Sequence, residues 1–133
     1  MSYDLWVWAG PAYSNTAISE AIDRLLDAGD LGALDPNPAL LALHAAALDR
    51  YPALESIPEE DLDSSVWSVT PEASDRLIAF PIQYPKVDEV ATFLVKAAFD
   101  RGLFTFDPQD GSIYPPEGVD PDSVLTEPRV DPA

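Results

Sequence analysis

The chain has 133 residues, no cysteine, and a net charge of −17 that comes from 24 acidic and 7 basic side chains. Its length indicates a single domain, and the missing cysteines exclude disulfides and zinc–thiolate sites. The charge argues against nucleic acid and membrane surfaces as partners and favours a basic protein, although solubility alone also explains an acidic surface.

The first predicted element is a β-strand over residues 3–10, YDLWVWAG. Successive side chains of a strand point to opposite faces, so Leu5 and Val7 share one face while Trp6 and Trp8 share the other. Neither face is polar. The two tryptophans therefore need a cover, which is either part of this chain or a binding partner.

The remaining elements follow from apolar spacing and from the residues that end helices and strands. Pro81 has no N–H to donate, which places its strand at a sheet edge or at a bulge. In chain order we predict helices over residues 16–28 and 37–51, strands over 66–69 and 76–84, a helix over 85–102, a strand over 103–107, and a short extended piece over 112–116.

This order, β-α-α-β-β-α-β, predicts an α+β fold of the ferredoxin-like split β-α-β type. We expect a four-stranded antiparallel sheet with all helices on one face, in a single domain over residues 1–114. Residues 115–133 form an acidic, proline-rich tail that is predicted to be disordered. The predicted core face carries Leu5, Val7, Ile78, Phe80, Ile82, Phe104 and Phe106, and the predicted uncovered face carries Asp4, Trp6, Trp8, Ala79, Thr105 and Asp107.

The sequence contains no recognisable catalytic motif. His44, the single histidine, lies among the apolar residues of the second predicted helix, where packing is its expected role. No nucleophile elbow, phosphate-binding loop or dinucleotide motif occurs, and the acids of residues 107–117 do not have calcium-loop spacing. We therefore predict a protein that is not an enzyme and that uses no cofactor or metal; a carboxylate pair remains the enzymatic alternative.

Two further observations concern location. No apolar run approaches the roughly 20 residues of a membrane span. The first residues, MSYDLWVW, lack the basic and apolar regions of a signal peptide. We therefore expect a cytoplasmic protein without membrane contact.

The acidic residues are concentrated in one region, because seven acids and no base lie between Arg50 and Arg76. We predict that this stretch binds a basic partner and that tryptophans supply apolar anchors, since tryptophan is favoured at interface centres. The predicted partner-binding residues are Trp6, Trp8, Glu55, Glu59, Glu60, Asp61, Asp63 and Trp67.

Both ends of the chain resemble a group of small acidic bacterial proteins. The matching segments are YDLWVW (residues 3–8) and RGLFTFDPQ (residues 101–109), which correspond to the group's D-L-x-V-W and G-L-x-x-Y-D-P-Q motifs, together with the helix DEVATFLVKAAFDRG. The chain departs from the group in having Phe106 where tyrosine is expected and Trp6 where a small residue is usual.

The group is similar in size and acidity to cytoplasmic immunity proteins. The resemblance therefore implies an inhibitor that occludes the active site of a basic toxin enzyme. The alternative is a homo-oligomeric structural or housekeeping protein whose tryptophan face is a dimer interface.

Overall fold

The computed structural model describes residues 2–129 of the chain. Within them, four strands form one open antiparallel sheet in the order β2-β1-β3-β4. The strands are β1 (Ser2–Trp8), β2 (Leu77–Gln83), β3 (Phe104–Asp107) and β4 (Ser112–Tyr114). The helices are α1 (Asn15–Ala28), α2 (Pro38–Arg50) and α3 (Val87–Asp100). The predicted α+β class and the four-stranded antiparallel sheet are confirmed.

The centre of the sheet is a split β-α-β unit. Strand β1 pairs antiparallel with both β2 and β3, so β2 and β3 run parallel to each other and α3 connects them. The complete ferredoxin-like order is not confirmed. The fourth strand is Ser112–Tyr114, and residues 66–69 contribute only an isolated antiparallel bridge, Trp67 to Ile82.

Pro81 explains why residues 66–69 form a bridge and not a strand. The Gln83 N–H donates to the Val66 carbonyl at 2.8 Å, and the Ser68 N–H donates to the Pro81 carbonyl at 3.0 Å. The return bond to Ser68 would need an N–H at position 81, which proline lacks. The predicted edge position of this strand is confirmed, because β2 is the outermost strand on its side.

The helices lie on both faces of the sheet, so the expected single helical face is wrong. One core joins α2 and α3 to Leu5, Val7 and the inward residues of β2. The second core joins α1 to Trp8. The tryptophan side of β1 is therefore covered by the first helix of the same chain.

The register of β3 moves two predicted core residues to the tryptophan side. Phe106 pairs with Trp6 and Phe104 with Trp8, whereas Thr105 pairs with Val7. Since paired residues point to the same face, the two phenylalanines belong to the α1 core, and the expectation that they pack with Leu5 and Val7 is wrong. Thr105 and Asp107 face the α2–α3 side instead.

Side-chain caps define the first two helices. The Ser14 hydroxyl accepts from the Ala17 N–H at 3.2 Å and caps α1. The Asn37 side chain accepts from the Ala39 N–H at 2.9 Å and caps α2. Such caps satisfy donors that have no partner inside the helix.

Residues 115–129 lie along the domain, although the sequence predicts disorder for 115–133. Leu125 forms a parallel bridge with Tyr13, donating to the Ala12 carbonyl at 2.9 Å and accepting from the Ser14 N–H at 2.8 Å. The Arg129 guanidinium contacts the Asp35 carboxylate at 2.7 Å. Residues 130–133 lie outside the described residues. No helix within 2–129 has the length and apolar character needed to cross a bilayer.

Candidate functional site

Two of the three predicted tryptophan anchors are buried in the domain. Trp8 is fully buried, stacks on Phe104 with ring centroids 5.0 Å apart, and donates its indole N–H to the Pro11 carbonyl at 2.8 Å. Trp67 is fully buried in the other core and donates to the Tyr51 carbonyl at 2.8 Å. Neither side chain has exposed surface, so their role as partner-binding anchors stays a prediction that their burial does not support.

Trp6 is half-buried and lies at an apolar groove of about 310 Å³ between the end of α1, the β2 edge and residues 69–74. Leu26 and Val69 line the same groove and are 67% and 62% exposed. We call Trp6, Leu26 and Val69 the apolar patch. Large apolar side chains this exposed and this close together are typical of binding surfaces.

The five predicted acidic residues all remain in solvent. All five lie exposed on two 3-10 helices, Leu54–Ser56 and Glu59–Ser64; they are Glu55, Glu59, Glu60, Asp61 and Asp63. We call residues 54–64 the acidic segment. The ion pairs found within residues 2–129 are Arg24–Glu20, Lys96–Asp100 and Arg129–Asp35, and none of them includes this segment.

A side-chain contact joins the acidic segment to the apolar patch. The Thr70 hydroxyl donates to the Glu55 carboxylate at 2.9 Å and accepts from the Leu54 N–H at 3.0 Å. Thr70 also lines the groove of Trp6 and Val69. The structure therefore brings Trp6 and Glu55, predicted from distant parts of the sequence, to one continuous surface.

A second groove extends this surface along the acidic segment. It has a volume of about 400 Å³ and is lined by Leu54, Glu55, Leu62 and Ser68, among others. The hydroxyl of Ser68 is buried there and has no hydrogen-bond partner within the described part of the chain. Since Glu55 lines this groove and its partner Thr70 lines the other, the two grooves meet at that pair.

His44 has a structural partner, as its place in the sequence leads us to expect. Its Nε2 lies 2.8 Å from the Pro71 carbonyl, so the imidazole ties α2 to the segment that lines the apolar groove. Across residues 2–129, no three His, Asp or Glu side chains are grouped as metal ligands.

Sequence reasoning missed Leu26 and Val69 as surface residues. Leu26 follows Leu25 in the apolar stripe of α1, and the extra leucine is the only sequence signal that one of the two is exposed. Val69 should share a strand face with Trp67, but residues 66–69 form only an isolated bridge at Trp67, and the Val69 side chain is exposed.

No protein-family model, no curated protein and no solved structure matches this chain. The resemblance to small acidic immunity-like proteins therefore stays a prediction.

Proposed function

We propose that this protein is a non-catalytic binding module that recognises a basic protein, and that it acts as an immunity-type inhibitor by occluding a toxin's active site. The observation that carries the proposal is the Glu55–Thr70 contact, which joins acids that form no ion pair within residues 2–129 to an exposed apolar patch. Protein interfaces combine an apolar centre with a polar rim, and this surface has both parts.

Charge supports a basic partner. The acidic segment carries five exposed carboxylates without an ion pair among residues 2–129, on a chain whose net charge is −17. A concentrated negative field speeds encounter with a basic protein by roughly 10- to 1000-fold and weakens as salt screens it. Trp6, Leu26 and Val69 then supply the apolar contact that slows dissociation.

The test is a capture experiment with two variants of equal net charge. In the first, the five acids of the acidic segment become their amides. In the second, five exposed acids elsewhere are changed in the same way: Asp49, Asp88, Glu117, Asp122 and Glu127. Immobilised wild type and both variants are exposed to lysate of the native host at low and at high salt, and bound proteins are identified by mass.

We expect a basic protein that the wild type and the second variant retain at low salt and that the first variant loses. The purified partner is then assayed for an enzymatic activity that stoichiometric wild-type protein blocks. Equal capture by both variants would show that the acidic segment is not the recognition surface. A captured partner with an acidic surface would contradict the proposal altogether.

Self-association is the second candidate function, since the apolar patch could pair with its copy. Leu26 and Val69 favour it because both are more than half exposed. The net charge opposes it, because like-charged surfaces repel. Light scattering at high protein concentration and high salt tests self-association. A strict monomer excludes it, and a dimer that Leu26→Lys dissociates supports it.

A further inference from the structure

A separate groove of about 450 Å³ lies between α3 and the strands β1, β3 and β4. Leu5, Ala91 and Val95 give it apolar walls. Phe99 and Tyr114, 45% and 42% exposed, also line it and leave aromatic surface open to solvent. This volume lies within the usual range for small-molecule sites, which is about 300–1,000 Å³.

The groove also contains a buried carboxylate. Asp107 is only 5% exposed and lines the groove. It accepts hydrogen bonds from the Tyr3 hydroxyl and from the Gln109 N–H, the latter at 3.0 Å. The hydrogen bond to Asp107 raises the pKa of the Tyr3 phenol above its ordinary value, so Tyr3 remains a donor into the alkaline range.

This carboxylate lacks a cationic partner among residues 2–129. The basic residue that lines the groove is Lys96, but its side chain is 75% exposed and its ammonium pairs with Asp100 at 3.0 Å. A carboxylate has about four acceptor positions, and the two hydrogen bonds from Tyr3 and Gln109 leave the others open. A buried charge that is hydrogen-bonded but not neutralised favours a ligand of opposite charge.

We propose that this groove binds a small organic cation with an apolar chain, of the alkylammonium or alkylguanidinium class. The cationic head pairs with Asp107, the chain packs on Val95 and Leu5, and the aromatic faces of Phe99 and Tyr114 add cation–π attraction. An alkyl carboxylate would be repelled by Asp107. A neutral alcohol would gain the apolar contact without the ion pair.

The proposal is independent of the binding-module function. Asp107 faces the α2–α3 side of the sheet and neighbours the β4 edge, whereas Trp6 faces the α1 side and pairs with β2 at the other edge. A protein that covers the apolar patch therefore leaves this groove open. Either site can exist without the other.

The experiment is an NMR titration of isotope-labelled full-length protein with n-pentylammonium and n-pentylguanidinium. The neutral probe is 1-pentanol and the anionic probe is pentanoate. We expect saturable shifts at Phe99, Asp107 and Tyr114 with the two cations, weaker shifts with the alcohol, and none with the carboxylate.

Two test variants and one control variant separate the contribution of charge to binding from that of packing. Asp107→Asn keeps one oxygen that accepts from the Gln109 N–H, places an amide NH2 beside the Tyr3 hydroxyl, and removes the charge; we expect it to weaken cation binding about tenfold. Asp110→Asn is the control, because it makes the same change in the same turn at an exposed residue that does not line the groove. Phe99→Ala, at an exposed position, should weaken binding several-fold without affecting the fold.

Three results would overturn the proposal: no saturable shift in the groove with either cation, alcohol binding as tight as amine binding, or unchanged affinity in both Asp107→Asn and Phe99→Ala. If Asp107→Asn loses its folded spectrum, the comparison of Phe99→Ala with wild type decides alone.

Discussion

Trp8 and Trp6 provide a direct test of the arrangement in which α1 covers one face of the sheet. They lie two residues apart on the same face of β1, yet Trp8 is fully buried and Trp6 is half-buried. The substitutions Trp8→Ala and Trp6→Ala remove the same side chain. The difference between their effects on the free energy of unfolding measures the cover by α1 together with the ring stacking and the indole hydrogen bond that Trp8 makes.

The structure gives the size of each effect. In Trp8→Ala the stacked contact with Phe104 disappears and the Pro11 carbonyl loses its indole donor. Replacing a buried Trp by Ala typically costs about 3–5 kcal/mol, which is a large part of the 5–15 kcal/mol of a typical domain. Trp6→Ala should cost about 1 kcal/mol, because much of that ring already contacts water.

Urea denaturation followed by far-ultraviolet circular dichroism measures both, since that signal does not depend on the removed indole. We expect a much lower midpoint for Trp8→Ala, a small change for Trp6→Ala, and the same slope for both. Equal losses in the two variants, or a Trp8→Ala protein within about 1 kcal/mol of wild type, would contradict the burial of Trp8 beneath α1.

Three further predictions concern single side chains. The hydrogen bond to Asp107 raises the pKa of Tyr3 above its ordinary value of about 10, so the folded state holds a proton that the unfolded state loses at high pH. The free energy of unfolding should therefore fall as pH rises above about 10. Tyr3→Phe should reduce that fall in thermal melts and leave the part due to Tyr51, whose pKa burial also raises. Thr105 is fully buried and its hydroxyl has no hydrogen-bond partner among residues 2–129. Thr105→Val should therefore leave the urea midpoint unchanged or raise it, by up to about 1–2 kcal/mol in the free energy of unfolding. A clear loss of stability would show that the hydroxyl has a hydrogen-bond partner. Asn37→Ala removes the cap of α2 and should cost about 1 kcal/mol in the same assay, with no change if the cap does not form.

The sequence predicts the existence of most elements because their apolar periods are strong. All three helices, β1, β2 and β3 occur where the spacing places them. The sequence also indicates that both faces of the sheet are covered, because β1 is apolar on both sides, which is typical of a strand covered on both faces. What it lacks is the register: Phe104 and Phe106 alternate with Thr105 in either register, and only the pairing with Trp8 assigns their face.

At the candidate site, too, the sequence predicts features that depend on local composition but not those that depend on contacts between distant residues. Exposure of the acidic segment follows from its composition, because five clustered carboxylates cannot be buried without partners. The sequence could not decide whether the tryptophans belong to the core or to a binding surface, because an indole suits both places equally when its N–H has an acceptor. Trp8 and Trp67 find theirs in backbone carbonyls that are close only in the folded chain.

The basic side chains explain why the acidic segment stays unneutralised. Arg76 donates to the carbonyls of Leu31 and Leu34 at 3.2 and 3.1 Å, and the Arg50 guanidinium lies 5.4 Å from the Tyr51 ring centroid. Four other bases are held by contacts of their own, those of Arg24, Lys96, Arg101 and Arg129. Six of the seven bases are thus engaged away from residues 54–64.

Moving one of these bases toward the acidic segment would break a contact within the fold. A partner has to bring its own positive charge, and its association rate should fall steeply with ionic strength. Because the apolar patch adjoins the acids at Glu55 and Thr70, salt should slow association far more than it speeds dissociation.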